Sequence, residues 1–356
     1  MEVLRIIAIY FVVYNHTPGW HFFAYRGWMD KNYWGALLIL QIVKMAVPVF
    51  LMISGALLIN REESISDLLK KRVTRILIAL ALITCIQYAW FCYREHSAVD
   101  VKHFVELFYL GCNELSFAAN WFLYAYLGIL LLLPILRIVA KNMPNQLFFY
   151  LFALQVISCC VLPAVNLIFG NYMGVSYLNE WLPFHAQSEC LPFSVGYCIF
   201  YVMMGYFLEF RLSLNIWKKY RYIFVVLAVA CLLGGVACMD MARRCQGVEL
   251  VHQSNVFLTA FLPIPCLVAY MGMKLFCLRM QLNPVWCKII STLGSATFTV
   301  MLIENLFRVE WDWMWRPLVQ NMGLFFATVI YAAIICSASL LVGVIVKRIP
   351  LLKRIV

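Results

Sequence analysis

Charge is what this sequence has least of. Only 13% of its 356 residues are Asp, Glu, Lys or Arg, against the quarter carried by a typical soluble domain, and 64% are hydrophobic. That balance excludes a soluble globular protein and points to a polytopic membrane protein. Other features are missing too. No Gly/Ser-rich or Pro-rich linker divides the chain, and no helical repeat of fixed period is visible, so one membrane domain over 1–356, with no appended soluble domain, is expected. The fourteen cysteines lie mostly in apolar runs without metal-type spacing, Cys159–Cys160 being the one adjacent pair. They suit the role of small hydrophobes better than that of a disulfide framework or metal site, and no metal is expected. The first apolar run lacks a small-residue cleavage pattern and should be retained as a helix. A net charge of +11 would suit nucleic acid, but its distribution along the chain fits membrane topology and no nucleic-acid partner.

Ten apolar segments are long enough, or nearly so, to span a bilayer: roughly 4–25, 35–59, 73–93, 119–140, 147–169, 192–210, 222–239, 255–277, 289–308 and 323–346. An all-α protein of about ten transmembrane helices is predicted. With the N-terminus placed in the cytoplasm, nineteen of the twenty-eight Lys and Arg fall inside, eight fall outside and Lys44 lies within the second helix. This bias obeys the positive-inside rule with both termini cytoplasmic.

The first segment, LRIIAIYFVVYNHTPGWHFFAY from Leu4 to Tyr25, carries His16 deep in an apolar run, eleven residues after Arg5. Eleven steps of about 100° bring Arg5 and His16 onto one helix face, about 16 Å apart along the axis. An ionisable group at that depth suggests function; the plainer alternative is a hydrogen bond to a neighbouring helix, with Arg5 anchoring the helix end. In the second helix Lys44 lies about 13 Å below the outer surface and His16 about 18 Å above the inner one, nearly one level in a core about 30 Å thick. A polar cavity between them follows, unless Lys44 pairs with Glu304 or snorkels outward. Glu304, in SATFTVMLIENLF, is a second internal candidate, because a buried carboxylate must be paired or protonated. Lys71, Arg72 and Arg75 cluster at the cytoplasmic surface. They suit a polyphosphate ligand, anionic lipid headgroups or plain topology. Asn120 and Trp121 open the fourth helix, and Trp311, Trp313 and Trp315 crowd an outer loop. Such aromatics are belt residues or stack on sugars. Ser54–Gly55 suits close helix packing.

Taken together these stretches resemble the membrane acyltransferase-3 family, which modifies sugars of envelope polysaccharides and related acceptors. The resemblance rests on Arg5 and His16 in LRIIAIYFVVYNH, VPVFLMISGALLI ending near Ser54–Gly55, KKRVTR with Arg72 and Arg75, NWFLYAYLGILLLLPILR, and MMGYFLEF with Gly205–Tyr206. Two departures stand out. The family's late helix often reads Tyr-Leu-Leu-His where this chain has Met301-Leu302-Ile303-Glu304, and Asn120 replaces a frequent histidine.

The resemblance implies an acyl donor, acetyl-CoA, on the cytoplasmic side and a saccharide hydroxyl as acceptor at the outer face of a bacterial inner membrane. Arg5, Lys71, Arg72 and Arg75 would hold the donor. His16 would act as general base or transient acyl carrier, with Glu304 as acid or base. Lys44, Asn120 and Trp121 would serve the substrate or oxyanion. The rival reading is a carrier or flippase for a saccharide intermediate, using the same polar cavity without chemistry. A non-catalytic assembly partner is the third.

Overall fold

The computed structural model describes residues 1–17, 33–110, 120–173, 195–246, 259–280 and 282–353, and among these every regular element is helical. In chain order they are α1 (Glu2–His16), α2 (Tyr33–Leu58), α3 (Ile65–Arg94), α4 (Val101–Leu110) and α5 (Trp121–Asn142). Helix α6 runs Asn145–Val156, then through a π-turn at Ile157–Val161 into Leu162–Met173. Helix α7 (Val195–Tyr206) ends in a π-turn at Phe207–Arg211. There follow α8 (Leu214–Gln246), α9 (Pro263–Arg279), α10 (Pro284–Glu310), α11 (Trp315–Met322), α12 (Leu324–Val346) and α13 (Pro350–Lys353).

Among the described residues, the ten expected segments fall largely on helix. Seven helices, α2, α3, α5, α6, α8, α10 and α12, are long and apolar enough to cross a membrane. Within the described residues α1, α7 and α9 are shorter, and residues 18–25 of the first expected span lie outside them. So do most of the stretch 170–191 and parts of 94–118 and 240–254. The large apolar side chains still exposed on α5, α6, α8 and α12, such as Ile138, Tyr150, Val226 and Leu341, form the surface a bilayer would cover.

Three local features position the functional region. The first is a break in α2 at Met45. Pro48 has no N–H for the carbonyl four residues back, so the helix loosens just after Lys44. The second is the start of α3. The Ser64 hydroxyl caps the helix by accepting from the Asp67 N–H (3.0 Å) and donates to the Asp67 carboxylate (2.9 Å). The next turn, Leu68–Val73, is π-helical, and the Thr74 hydroxyl donates to the Leu69 carbonyl (2.9 Å). The basic cluster sits on this widened turn, a form common at functional sites.

The third feature is a reciprocal glycine crossing between α2 and α7. A Cβ on Gly55 would lie 1.8 Å from the Val202 carbonyl oxygen, and one on Gly205 would lie 1.9 Å from that of Met52. Each helix therefore uses a missing side chain to admit the other's backbone, the small-residue packing that replaces the hydrophobic effect inside a bilayer. Buried Met52, Ile53, Val202 and Met204 fill the space beside it.

The crossing makes a prediction. Gly55→Ala and Gly205→Ala push Cβ into backbone that cannot step aside, so each should destabilise the detergent-solubilised protein by about 1–3 kcal/mol or more. Gly272→Ala, where nothing lies within 4 Å, should be neutral or stabilising by up to about 1 kcal/mol. Thermal unfolding midpoints of the three variants check this.

Candidate active site

α1 and α10 lie side by side and meet at two levels. Near the start of α1, Glu2 packs on Gly294, where a Cβ would lie 2.1 Å from Glu2 Oε2. At the far end His16 Nδ1 is 2.8 Å from Glu304 Oε1. The Glu304 side chain is 1% exposed and that of His16 is 26% exposed, so the carboxylate is shut away while part of the imidazole remains open. The second carboxylate oxygen, Oε2, is buried without a hydrogen-bond partner among the described residues. An ionised carboxylate can only accept, so a Glu304 carboxylate at this distance would be met by an Nδ1–H, with Nε2 as the other ring nitrogen.

Ile9, Val13 and Tyr14 of α1 pack in one apolar cluster with Val43, Val300, Tyr331 and Ile335. Val43 immediately precedes Lys44, which ends the first half of α2 beside the break at Met45. The helices that carry His16, Glu304 and Lys44, namely α1, α10 and α2, thus pack around one apolar core.

On the basic side of this level lies a cavity of about 370 Å³. Five cations line it: Arg5 from α1, Lys71, Arg72 and Arg75 from α3, and Lys347 just past α12. No acidic residue lines it among the described residues. Ile9, Phe50, Phe122, Phe298 and Met301 supply much of its apolar lining, and Ser54, Tyr126, Ser295 and Thr297 add hydroxyl-bearing residues. Met301 stands three residues before Glu304, a rise of about 4.5 Å, so the lining reaches to within roughly one helical turn of Glu304 along α10.

Three of the cations pair with carboxylates outside the wall, and two contact residues of the wall itself. Arg5 Nη1 pairs with Glu2 Oε1 (2.8 Å), Lys71 with Asp67 Oδ1 (2.8 Å) and Arg72 Nε with Glu63 (2.9 Å). Arg75 lies over the Phe298 ring, 5.9 Å from its centroid, and Lys347 donates to the Ser295 carbonyl. Burial first, then the charges of Arg75 and Arg5, push the Lys347 ammonium below the ordinary lysine range, although Glu2 opposes them. A cleft of one sign with apolar walls focuses its field on anions.

Other expected residues sit elsewhere. Buried Asn120 donates to Gln87 Oε1 (2.8 Å), joining α5 to α3. Trp121 is partly exposed, packs edge-on against Phe122 and does not line the cavity. Trp311 and Trp315 turn onto Phe307 and Tyr331, while Trp313 is exposed. Sequence reasoning passed over Lys347, Glu63 and Arg137. The signals were a lysine directly after the last long helix and a glutamate among basic residues in an inner loop. Lys347 and Arg137 entered only the charge bias, and Glu63 entered none of the readings.

Searches of curated proteins and of solved structures find no match to this chain. A family described as an acyltransferase domain does match, over residues 1–348, nearly the whole length. The chain belongs to this acyltransferase-3 family and is a membrane acyltransferase.

Proposed function

We propose that the protein transfers an acetyl group from cytoplasmic acetyl-CoA to a hydroxyl of an envelope or exported saccharide, across a bacterial inner membrane. One observation carries this reading: a buried carboxylate holds a half-open imidazole one turn beyond a cation-lined cavity. Coenzyme A carries three phosphates, which suit the mouth of the cavity, where Arg72 and Arg75 offer charge-assisted contacts with support from Arg5, Lys71 and Lys347. Its uncharged arm suits the apolar wall. The saccharide acceptor and the inner membrane rest on the family resemblance.

In this reading His16 is the general base. Nε2 takes the proton of the acceptor hydroxyl as its oxygen attacks the thioester carbonyl, with Glu304 steadying the imidazolium that forms. Lys44 stabilises the oxyanion. The carbon–sulfur bond then breaks, and the proton on Nε2 passes to the departing thiolate. The ester and free coenzyme A are the products. Both termini are cytoplasmic, as the charge bias requires.

Three outcomes test this. His16→Ala and Glu304→Gln should each lower transfer about a hundred- to ten-thousandfold in protein that still inserts and remains monodisperse. Near-normal acetylation by a well-folded His16→Ala protein would leave the carrier reading ahead. Arg72→Gln with Arg75→Gln should raise the KM for acetyl-CoA and spare kcat, each lost contact costing about 1.5–3 kcal/mol. Cysteines introduced into the 60–64 stretch should be labelled only from the cytoplasmic side of sealed vesicles; labelling from outside would reverse the topology.

A further inference from the structure

Arg72 faces two ways. It lines the cavity, and its Nε donates to both oxygens of Glu63, at 3.1 and 2.9 Å. Glu63 does not line the cavity; it lies in the short link between α2 and α3. A carboxylate in such a link would swing freely unless something held it. Arg137 does so from α5. Its Nη2 donates to Glu63 Oε2 (3.1 Å) and its Nη1 to the Glu63 carbonyl (3.4 Å). Its Nε and Nη2 also reach the Leu58 carbonyl, at 3.2 and 3.1 Å, where α2 ends. Arg137 is buried, and a buried guanidinium is costly unless its donors are used. Here they secure one carboxylate to the backbone around it. Burial alone would raise the Glu63 carboxyl, but the hydrogen bonds and charges of Arg72 and Arg137 hold it below the ordinary carboxylate range.

We propose that Glu63, fixed by Arg137, is a positioning residue for the donor site, gripping Arg72 by its Nε edge so that its Nη donors meet a phosphate. The proposal rests on the reading that Arg72 binds donor phosphate. Two features favour positioning over competition. Glu63 is tied through its own carbonyl and that of Leu58, so it cannot follow a departing arginine. It also leaves the fork end of the guanidinium unused, the edge that meets phosphate oxygens bidentately. An arginine on a π-turn at a cavity mouth has many rotamers, and holding one of them lowers the ordering cost of binding.

The experiment is coenzyme A binding by calorimetry on the purified full chain, together with donor kinetics. Glu63→Gln should weaken coenzyme A about tenfold, the order seen when an orienting partner is lost, and raise the donor KM while kcat stays near its original value. In an Arg72→Gln background the same change should do nothing further, because Glu63 acts through Arg72. Glu63→Asp keeps the charge that Arg137 needs and serves if the Gln variant does not fold. Its shorter reach should weaken binding about threefold with Arg72 present and not at all without it. Unchanged or tighter binding by Glu63→Gln would overturn positioning, and so would losses that simply add to those of Arg72→Gln. If Arg72→Gln itself leaves coenzyme A affinity unchanged, the donor-site reading has failed first, and this inference with it.

Discussion

Glu304 is wholly buried, and a carboxylate in so apolar a place must either give up its charge or find a donor within hydrogen-bond reach. His16 is that donor, and much else depends on the bond. It ties the end of α1 to the late part of α10, while the contact of Glu2 with Gly294 fixes the same two helices near the opposite end. It also engages Nδ1, so Nε2 is the ring nitrogen left for other partners. The part of the imidazole that stays exposed is the part the proposed function assigns to the acceptor hydroxyl.

The five-cation cavity shows why a count of basic residues underdetermines their purpose. Positive-inside topology requires lysines and arginines near the cytoplasmic face; it does not require them to converge from α1, α3 and the end of α12 onto one cavity. Mutual repulsion opposes that convergence, and, after burial, it is what depresses the Lys347 ammonium. The arrangement stands because Glu2, Glu63 and Asp67 hold three of the cations from outside the wall. Carboxylates placed behind the wall give local neutrality for folding while leaving the interior positive for a ligand.

The helical segments were legible because a bilayer imposes a strong length and composition signal. His16 and Glu304 were legible one by one, since ionisable groups inside apolar runs are rare; their partnership, across 288 residues, rests on packing alone. The Ser54–Gly55 signal was visible too, but nothing local identifies Gly205 as the other half of the crossing. Glu63, Arg137 and Lys347 were missed for a related reason. Their importance lies in side-chain pairings between distant segments, which follow no periodicity. Asn120 illustrates the converse. A polar residue beside a motif drew attention, and its amide is engaged by Gln87 on a neighbouring helix.

The cavity also grades in polarity along its length, and that gradient bears on which donors fit. Charged groups cluster at the mouth, and between them and the His16–Glu304 pair stand Ile9, Phe50, Phe298 and Met301. A ligand charged throughout would have to desolvate its inner end against apolar side chains at high cost. A wholly apolar one would gain nothing from five cations. The molecule that fits both ends has a polyanionic head, an uncharged arm and its reactive group at the far tip, the layout of an acyl-CoA. In the proposed reaction the thioester would sit beyond the apolar side chains, which disfavour water and so disfavour its hydrolysis relative to transfer to a bound hydroxyl.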